Sequence, residues 1–217
     1  MEAATVERVR REDPTRPPAP VPAAETGTGW KPADPGPLGL AGFAMTTFVL
    51  SMFNSNLVDG KGLPVVLGLA LVYGGIVQLL AGMWEFRTGN TFGAVAFCSY
   101  GAFWISFWAL NVFYAKQIGG NAGHAVGVYL WAWAIFTAYM TVAALRVSGA
   151  VLLVFVLLTA TFILLAIGNV GAHETVIHWG GYLGLATAAA AWYASFAAVV
   201  NSTFGRALLP VIPLSRR

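Results

Sequence analysis

The chain has 217 residues, of which 58% are hydrophobic and 10% charged, and its mean hydropathy is +0.70. A soluble domain of that composition would expose large apolar patches, so an ordinary soluble fold is excluded and one membrane domain is indicated. The net charge is only +3, and no basic run interleaves with aromatics on a polar face, which excludes nucleic acid as a partner.

Residues 1–33 differ in kind from the rest of the chain. Glu2, Glu7, Arg8, Arg10, Arg11, Glu12, Asp13 and Arg16 precede a Pro/Ala-rich run over 17–24. Such a segment cannot bury enough apolar surface to offset its ordering entropy and reads as a disordered tail. It lacks the apolar core of a cleaved secretory signal, so the first apolar stretch reads as a retained helix.

Six apolar stretches follow, over 38–57, 63–84, 91–114, 124–145, 150–169 and 176–200. A hydrocarbon core about 30 Å thick needs roughly 20 helical residues at about 1.5 Å each, and all six meet that length. The expected fold is all-α, a polytopic membrane protein with six transmembrane helices over 34–210 and a short basic tail over 211–217. With the N-terminus in the cytoplasm, six crossings return the C-terminus to the same side. The tail arginines then gather with Arg87, Arg146, Arg206, Arg216 and Arg217, leaving Lys61 and Lys116 outside. That asymmetry follows the positive-inside rule, so a multi-pass protein of the cell membrane with both termini cytoplasmic is expected.

The spans hold almost no ionisable groups. Asp59, Lys61, Glu85, Arg87, Lys116, Arg146, Glu174 and Arg206 fall at expected loops or helix ends, which argues against a buried carboxylate relay or a voltage sensor. What remains within the membrane is polar but neutral, so the expected substrate is small. Residues three or four apart share a helix face. On the first span Phe43, Thr47, Leu50 and Asn54 align, and on the fifth Leu158, Phe162, Leu165 and Asn169. Such faces suit a narrow, partly wet path; equally, Asn54 and Gln78 can serve as interhelical hydrogen-bond glue, and Ser and Thr can bond back to their own helix. Gly180, Gly184 and Ala188 on the sixth span, and Gly68, Gly75 and Gly82 on the second, read as helix-packing stripes.

Catalytic signals are missing. His124, His173 and His178 sit at span boundaries without a closed ligand set, and Cys98 is the single cysteine, so neither a metal site nor a cofactor is expected. The segment Gly89-Asn90-Thr91-Phe92-Gly93 has glycines without a phosphate-loop lysine and reads as a loop with a helix N-cap. With no nucleophile elbow or triad, an enzyme is the weakest reading.

One string is more specific than any composition. Asp34-Pro35-Gly36-Pro37-Leu38-Gly39-Leu40, followed by Gly42-Phe43-Ala44-Met45-Thr46-Thr47, resembles the Asn-Pro-Ala-Pro-Leu-Gly-Leu signature of the acetate uptake transporter family. That family includes the bacterial succinate-acetate permeases and the fungal acetate and ammonia-export proteins. The resemblance continues through Tyr73-Gly74-Gly75-Ile76-Val77-Gln78, Ser99-Tyr100-Gly101-Ala102-Phe103-Trp104 and Leu164-Leu165-Ala166-Ile167-Gly168-Asn169, covering the chain beyond its tail. Asp34 replaces the family's Asn and Gly36 its usual Ala; an Asp still accepts backbone N–H bonds before a helix.

The resemblance implies a six-helix protomer in a homohexameric ring, with one narrow pore per protomer. It implies a constriction of Phe43, Tyr100 and Leu158; the neutral polar residues of the spans add Thr47, Asn54, Gln78, Ser99 and Asn169 as the expected polar pore lining. The expected substrates are acetate, succinate and related small carboxylates together with protons. At a pKa near that of a Glu side chain, about 4.3, only about one acetate in five hundred is protonated at pH 7. A path without Lys or Arg therefore either selects the neutral acid or carries the anion on hydroxyl and amide donors, the Tyr100 hydroxyl among the candidates. A channel for ammonia, urea or small amides is the rival within the class, and a non-transporting receptor or scaffold the rival outside it.

Overall fold

The computed structural model describes Trp30 and residues 32–215. Most of the tail expected over 1–33, and Arg216 and Arg217 of the topology argument, lie outside the described residues. The chain divides into two units, Met1–Lys31 and Pro32–Arg217, and every helix described belongs to the second.

In lipid each unpaired backbone group is costly, so long apolar stretches become helices. α1 (Gly36–Asn54) opens with the Gly36 N–H donating to Asp34 Oδ1 at 2.9 Å and with Pro37 in its first turn, where the absent N–H has no partner to lose. A 3-10 turn over Gly60–Gly62 leads to α2 (Pro64–Leu71), which passes through a π turn (Val72–Val77) into α3 (Gln78–Thr88). Gly89, at φ 80°, closes α3 in the left-handed cap that glycine adopts without a Cβ clash. Asn90 caps α4 (Thr91–Ala109) by accepting the Gly93 N–H at 3.1 Å. A second π turn (Leu110–Tyr114), the short α5 (Ala115–Ile118) and a break over Gly119–Asn121 separate α4 from α6 (Ala122–Ala144). Then come α7 (Gly149–Val170), capped by Ser148, and α8 (Glu174–Thr203).

Among the described residues five helical stretches are long and apolar enough to cross a membrane: Gly36–Asn54, Gly60–Thr88, Thr91–Ala144, Gly149–Val170 and Glu174–Thr203. The third, 54 residues long, doubles back on itself. Tyr100 and then Ser106 on α4 bond Thr137 and then Tyr129 on α6, so rising numbers meet falling ones and the two helices run antiparallel.

α8 packs between α1 and α7, α6 flanks α7, α3 flanks α4, and α1 crosses both α3 and the first π turn, while α4 touches α6. The helices thus close a ring in the order α1, α3, α4, α6, α7, α8. Where α1 crosses the π turn, a Cβ on Gly42 would lie 2.6 Å from the Tyr73 carbonyl oxygen, and one on Gly74 2.6 Å from Thr46 Oγ1; only hydrogen fits there. On α8, Gly180 faces Leu165 and Gly184 faces Ser51, so that stripe is a packing surface. The second-span stripe is not continuous: Gly75 and Gly82 pack against α4, but a Cβ on Gly68 would meet no packing neighbour within 4 Å. The intervening π turn, with its i→i+5 bonding, changes the helical phase and breaks the seven-residue register. Outward faces are apolar, with Val65, Ile135 and Val142 each 67% exposed.

After α8 the chain turns back. Asn201 Oδ1 accepts the Leu208 and Leu209 N–H groups at 2.7 and 2.9 Å. The Gly149 N–H donates to the Ile212 carbonyl at 2.7 Å and the Leu214 N–H to the Val147 carbonyl at 3.2 Å. Residues 211–214, read from sequence as part of a short tail, are tied to the entry of α7.

Candidate functional site

Two cavities occupy opposite ends of the helix ring. The first, of about 210 Å³, is walled by the start of α1 (Gly36 to Phe43), the buried face of α3 (Gln78, Glu85), the start of α4 (Asn90 to Tyr100), the start of α7 and the end of α8. The second, of about 370 Å³, is walled by the later half of α1 (Thr47 to Asn54), the end of α4, the start of α6 and the later half of α7. Phe43 and Leu158 are the two residues that line both. The layer between the cavities is tightly packed: Phe43 is 5% exposed, Tyr100 3% and Leu158 3%. Phe43 and Tyr100 hold their rings 5.8 Å apart at 52°, and Phe136 meets Tyr100 edge-on at 5.4 Å, favourable geometries for aromatic pairs.

The two stripes read from sequence meet across one space. Phe43, Thr47, Leu50 and Asn54 of α1 and Leu158, Phe162, Leu165 and Asn169 of α7 all line the second cavity. Gln78 lines the first. Ser99 lines neither, because adjacent helical residues lie about 100° apart and Tyr100 takes the inward direction on α4. Within the signature, Asp34, Gly36, Pro37 and Leu40 line the first cavity. Pro35 caps α1, Leu38 is exposed, and Gly39 lets the Phe97 ring lie against the backbone. The Pro37 carbonyl accepts the Ser195 hydroxyl of α8 at 2.7 Å, which fixes the entry of α1 against α8.

Most buried hydroxyls bond back to their own helix, as Thr46 does to the Gly42 carbonyl, Thr161 to Leu157 and Thr187 to Leu183. Thr47 and Gln78 do not. The Thr47 hydroxyl, 6% exposed, and both polar atoms of the Gln78 amide, 0% exposed, have no hydrogen-bond partner among the described residues. Each such group costs about 1–3 kcal/mol. The two stand on either side of Phe43, one lining each cavity.

Glu85 departs from the sequence reading. It does lie near a helix end, but it is 2% exposed and faces the first cavity, so this interior is not free of carboxyls. Its Oε2 accepts the Asn90 amide at 2.9 Å and the Thr88 hydroxyl at 3.1 Å, and a Cβ on Gly93 would lie 2.7 Å from Oε1. The glycine at 93 therefore admits the carboxyl to the head of α4. The signal was present: Glu85 follows Gln78 by seven positions, two helical turns, and so shares its face.

A ring of apolar helices around two cavities, with polar groups turned inward, defines a multi-pass membrane protein. The chain belongs to the GPR1/FUN34/yaaH family, whose model matches residues 20–216. It is 44% identical over 176 residues to ammonia transport outward protein 2 of Saccharomyces cerevisiae, covering 78% of this chain and 62% of that protein. It is 41% identical over 184 residues to the succinate-acetate/proton symporter SatP of Escherichia coli K12, covering 83% of this chain and 96% of SatP. The solved structure of the bacterial acetate channel SatP is similar at a TM-score of 0.77 and 40% identity, over 83% of this chain and 99% of that one. The chain thus spans less than two thirds of the yeast relative and nearly all of the bacterial one.

Proposed function

We propose that this protein carries small carboxylic acids across a membrane, acetate chiefly and succinate with it, in a proton-linked manner and through the interior of each protomer. The observation that carries the reading is the pair of cavities at opposite ends of the ring, separated by a layer to which both contribute Phe43 and Leu158. Phe43, Tyr100 and Leu158 form the constriction. The Gln78 amide on one side and the Thr47 hydroxyl on the other offer hydrogen bonds to a carboxyl that has shed its water, which answers the cost of keeping them unpaired. Asn54 and Asn169 receive it in the wider cavity. Ser99, which lines neither cavity, has no part in the path.

The path crosses the membrane within six spans, α4 and α6 counting as two. At about 1.5 Å per residue, the 54 residues of Thr91–Ala144 would extend about 81 Å, far beyond a core of about 30 Å. Arg87, Arg146 and Arg206 border the end of the ring that holds the first cavity, and Lys61 and Lys116 the other, so the first cavity faces the cytoplasm. The apolar outer face serves lipid and the neighbouring copies of a hexamer.

The test is uptake of labelled acetate into proteoliposomes, corrected for protein-free vesicles, with succinate and urea as competitors. Competition by succinate and not by urea supports a carboxylate path. Competition by urea, or a preference for methylammonium, would move the assignment to the ammonia and amide class that the yeast relative's name represents.

A further inference from the structure

The Tyr100 hydroxyl sits in a directed chain of hydrogen bonds. Thr137 on α6, fully buried, has its Oγ1 2.7 Å from the Trp133 carbonyl oxygen and 3.0 Å from the Tyr100 hydroxyl. A carbonyl only accepts, and a threonine hydroxyl owns one proton. Thr137 therefore donates to Trp133, and Tyr100 must donate to Thr137. The phenol's single proton is thus committed, and it has none to offer a passing carboxylate. Through the same bond the tip of the ring is pinned to α6, which also meets α4 through the Ser106–Tyr129 hydrogen bond and the Phe103–Tyr129 and Phe103–Trp133 ring pairs, while Phe43, Phe136 and Phe155 stand around the Tyr100 ring at 5.4 to 6.0 Å.

We infer that Thr137, which lines neither cavity, is the positioning residue that sets the selectivity of the constriction. It acts by holding the Tyr100 ring in place, and the Tyr100 hydroxyl serves as the ring's anchor instead of as a contact for substrate. The inference rests on the reading of Tyr100 as a wall of an acid path. It separates two roles that a tyrosine at a constriction otherwise confounds, because deleting an anchor from either end gives one and the same effect.

The experiment compares wild type, Tyr100→Phe, Thr137→Val, Thr137→Ser and the Tyr100→Phe/Thr137→Val double variant in proteoliposomes, reading the ratio of labelled lactate to labelled acetate flux and the acetate KM. Tyr100→Phe and Thr137→Val should each raise the ratio by the same factor, about two- to tenfold, the equilibrium worth of one neutral hydrogen bond. The double variant should raise it no further, and Thr137→Ser should match wild type. The acetate KM should stay within twofold throughout. Thr137→Val leaves a buried phenol unpaired whereas the double variant leaves none, so the double variant should also melt at a higher temperature in detergent than Thr137→Val alone; this readout holds if Thr137→Val is poorly expressed. A wild-type ratio in Thr137→Val beside a shifted one in Tyr100→Phe would overturn the inference, as would factors that multiply in the double variant or a KM rise confined to Tyr100→Phe. Wild type that moves no acetate at all would fell the functional reading itself, and that outcome is visible before any variant is compared.

Discussion

Leu158→Ala tests the constriction where the geometry is most explicit. Leu158 is 3% exposed and lines both cavities, so truncating it removes a side chain from the layer that separates them. A buried Leu→Ala change costs about 2–5 kcal/mol, rising with the void left behind. Here the vacated space joins cavities of about 210 and 370 Å³ into one that water can enter, so the cost should fall near the lower end, about 2 kcal/mol. The gain in passage can be bounded as well. Forcing an extra methylene-sized group through a packed layer costs about 1–3 kcal/mol. Relieving that strain for lactate, which is one CH(OH) group larger than acetate, should raise the lactate-to-acetate ratio by about five- to 150-fold. The assay is paired uptake of the two labelled acids at matched membrane expression. A variant that inserts normally and keeps the wild-type ratio would remove Leu158 from the filter.

Gln78→Leu should stabilise the protein or leave it unchanged, since it removes two buried unpaired polar atoms, yet acetate flux should fall about tenfold, the worth of one well-made hydrogen bond; detergent melting and flux on one preparation check both. Lower stability with normal flux would mark the amide as packing glue. Glu85→Ala should cost more than Glu85→Gln, by about 1–3 kcal/mol, because it abandons the Asn90 amide that an amide oxygen still accepts, while Thr88 keeps its bond to the residue-85 carbonyl; equal melting temperatures would show that the carboxyl does not hold the α3–α4 turn. Deleting residues 1–27 should leave acetate flux per inserted molecule nearly intact, and a collapse would make that segment a gate.

The helices were legible because bilayer thickness leaves an apolar stretch few alternatives, and the α1 and α7 stripes because helical spacing fixes a face. Neither principle reports on depth or partners. Glu85 shares the inward face of Gln78 by its seven-residue spacing, but the room for its carboxyl comes from Gly36 and Gly93 on other segments, which its own span does not reveal. Ser99 is one of the neutral polar residues that composition offers as lining, but it adjoins the inward Tyr100, and neighbours on a helix point apart. The seven-residue glycine pattern of the second span ignored the π turn, whose altered phase has no marker beyond the Gly74–Gly75 pair. Thr137 was one neutral hydroxyl among many, and its bond to Tyr100, 37 positions away, depends on how α4 and α6 meet.

The central claim is that a carboxylic acid passes through this protein together with a proton. Acetate uptake into proteoliposomes measured with an imposed pH gradient, and again with the gradient collapsed by a protonophore, tests it most directly. Protein-dependent uptake that rises with a gradient acidic outside, falls when the gradient is collapsed and is competed by succinate is the predicted result. Uptake no faster than in protein-free vesicles, or uptake indifferent to the gradient, would contradict it.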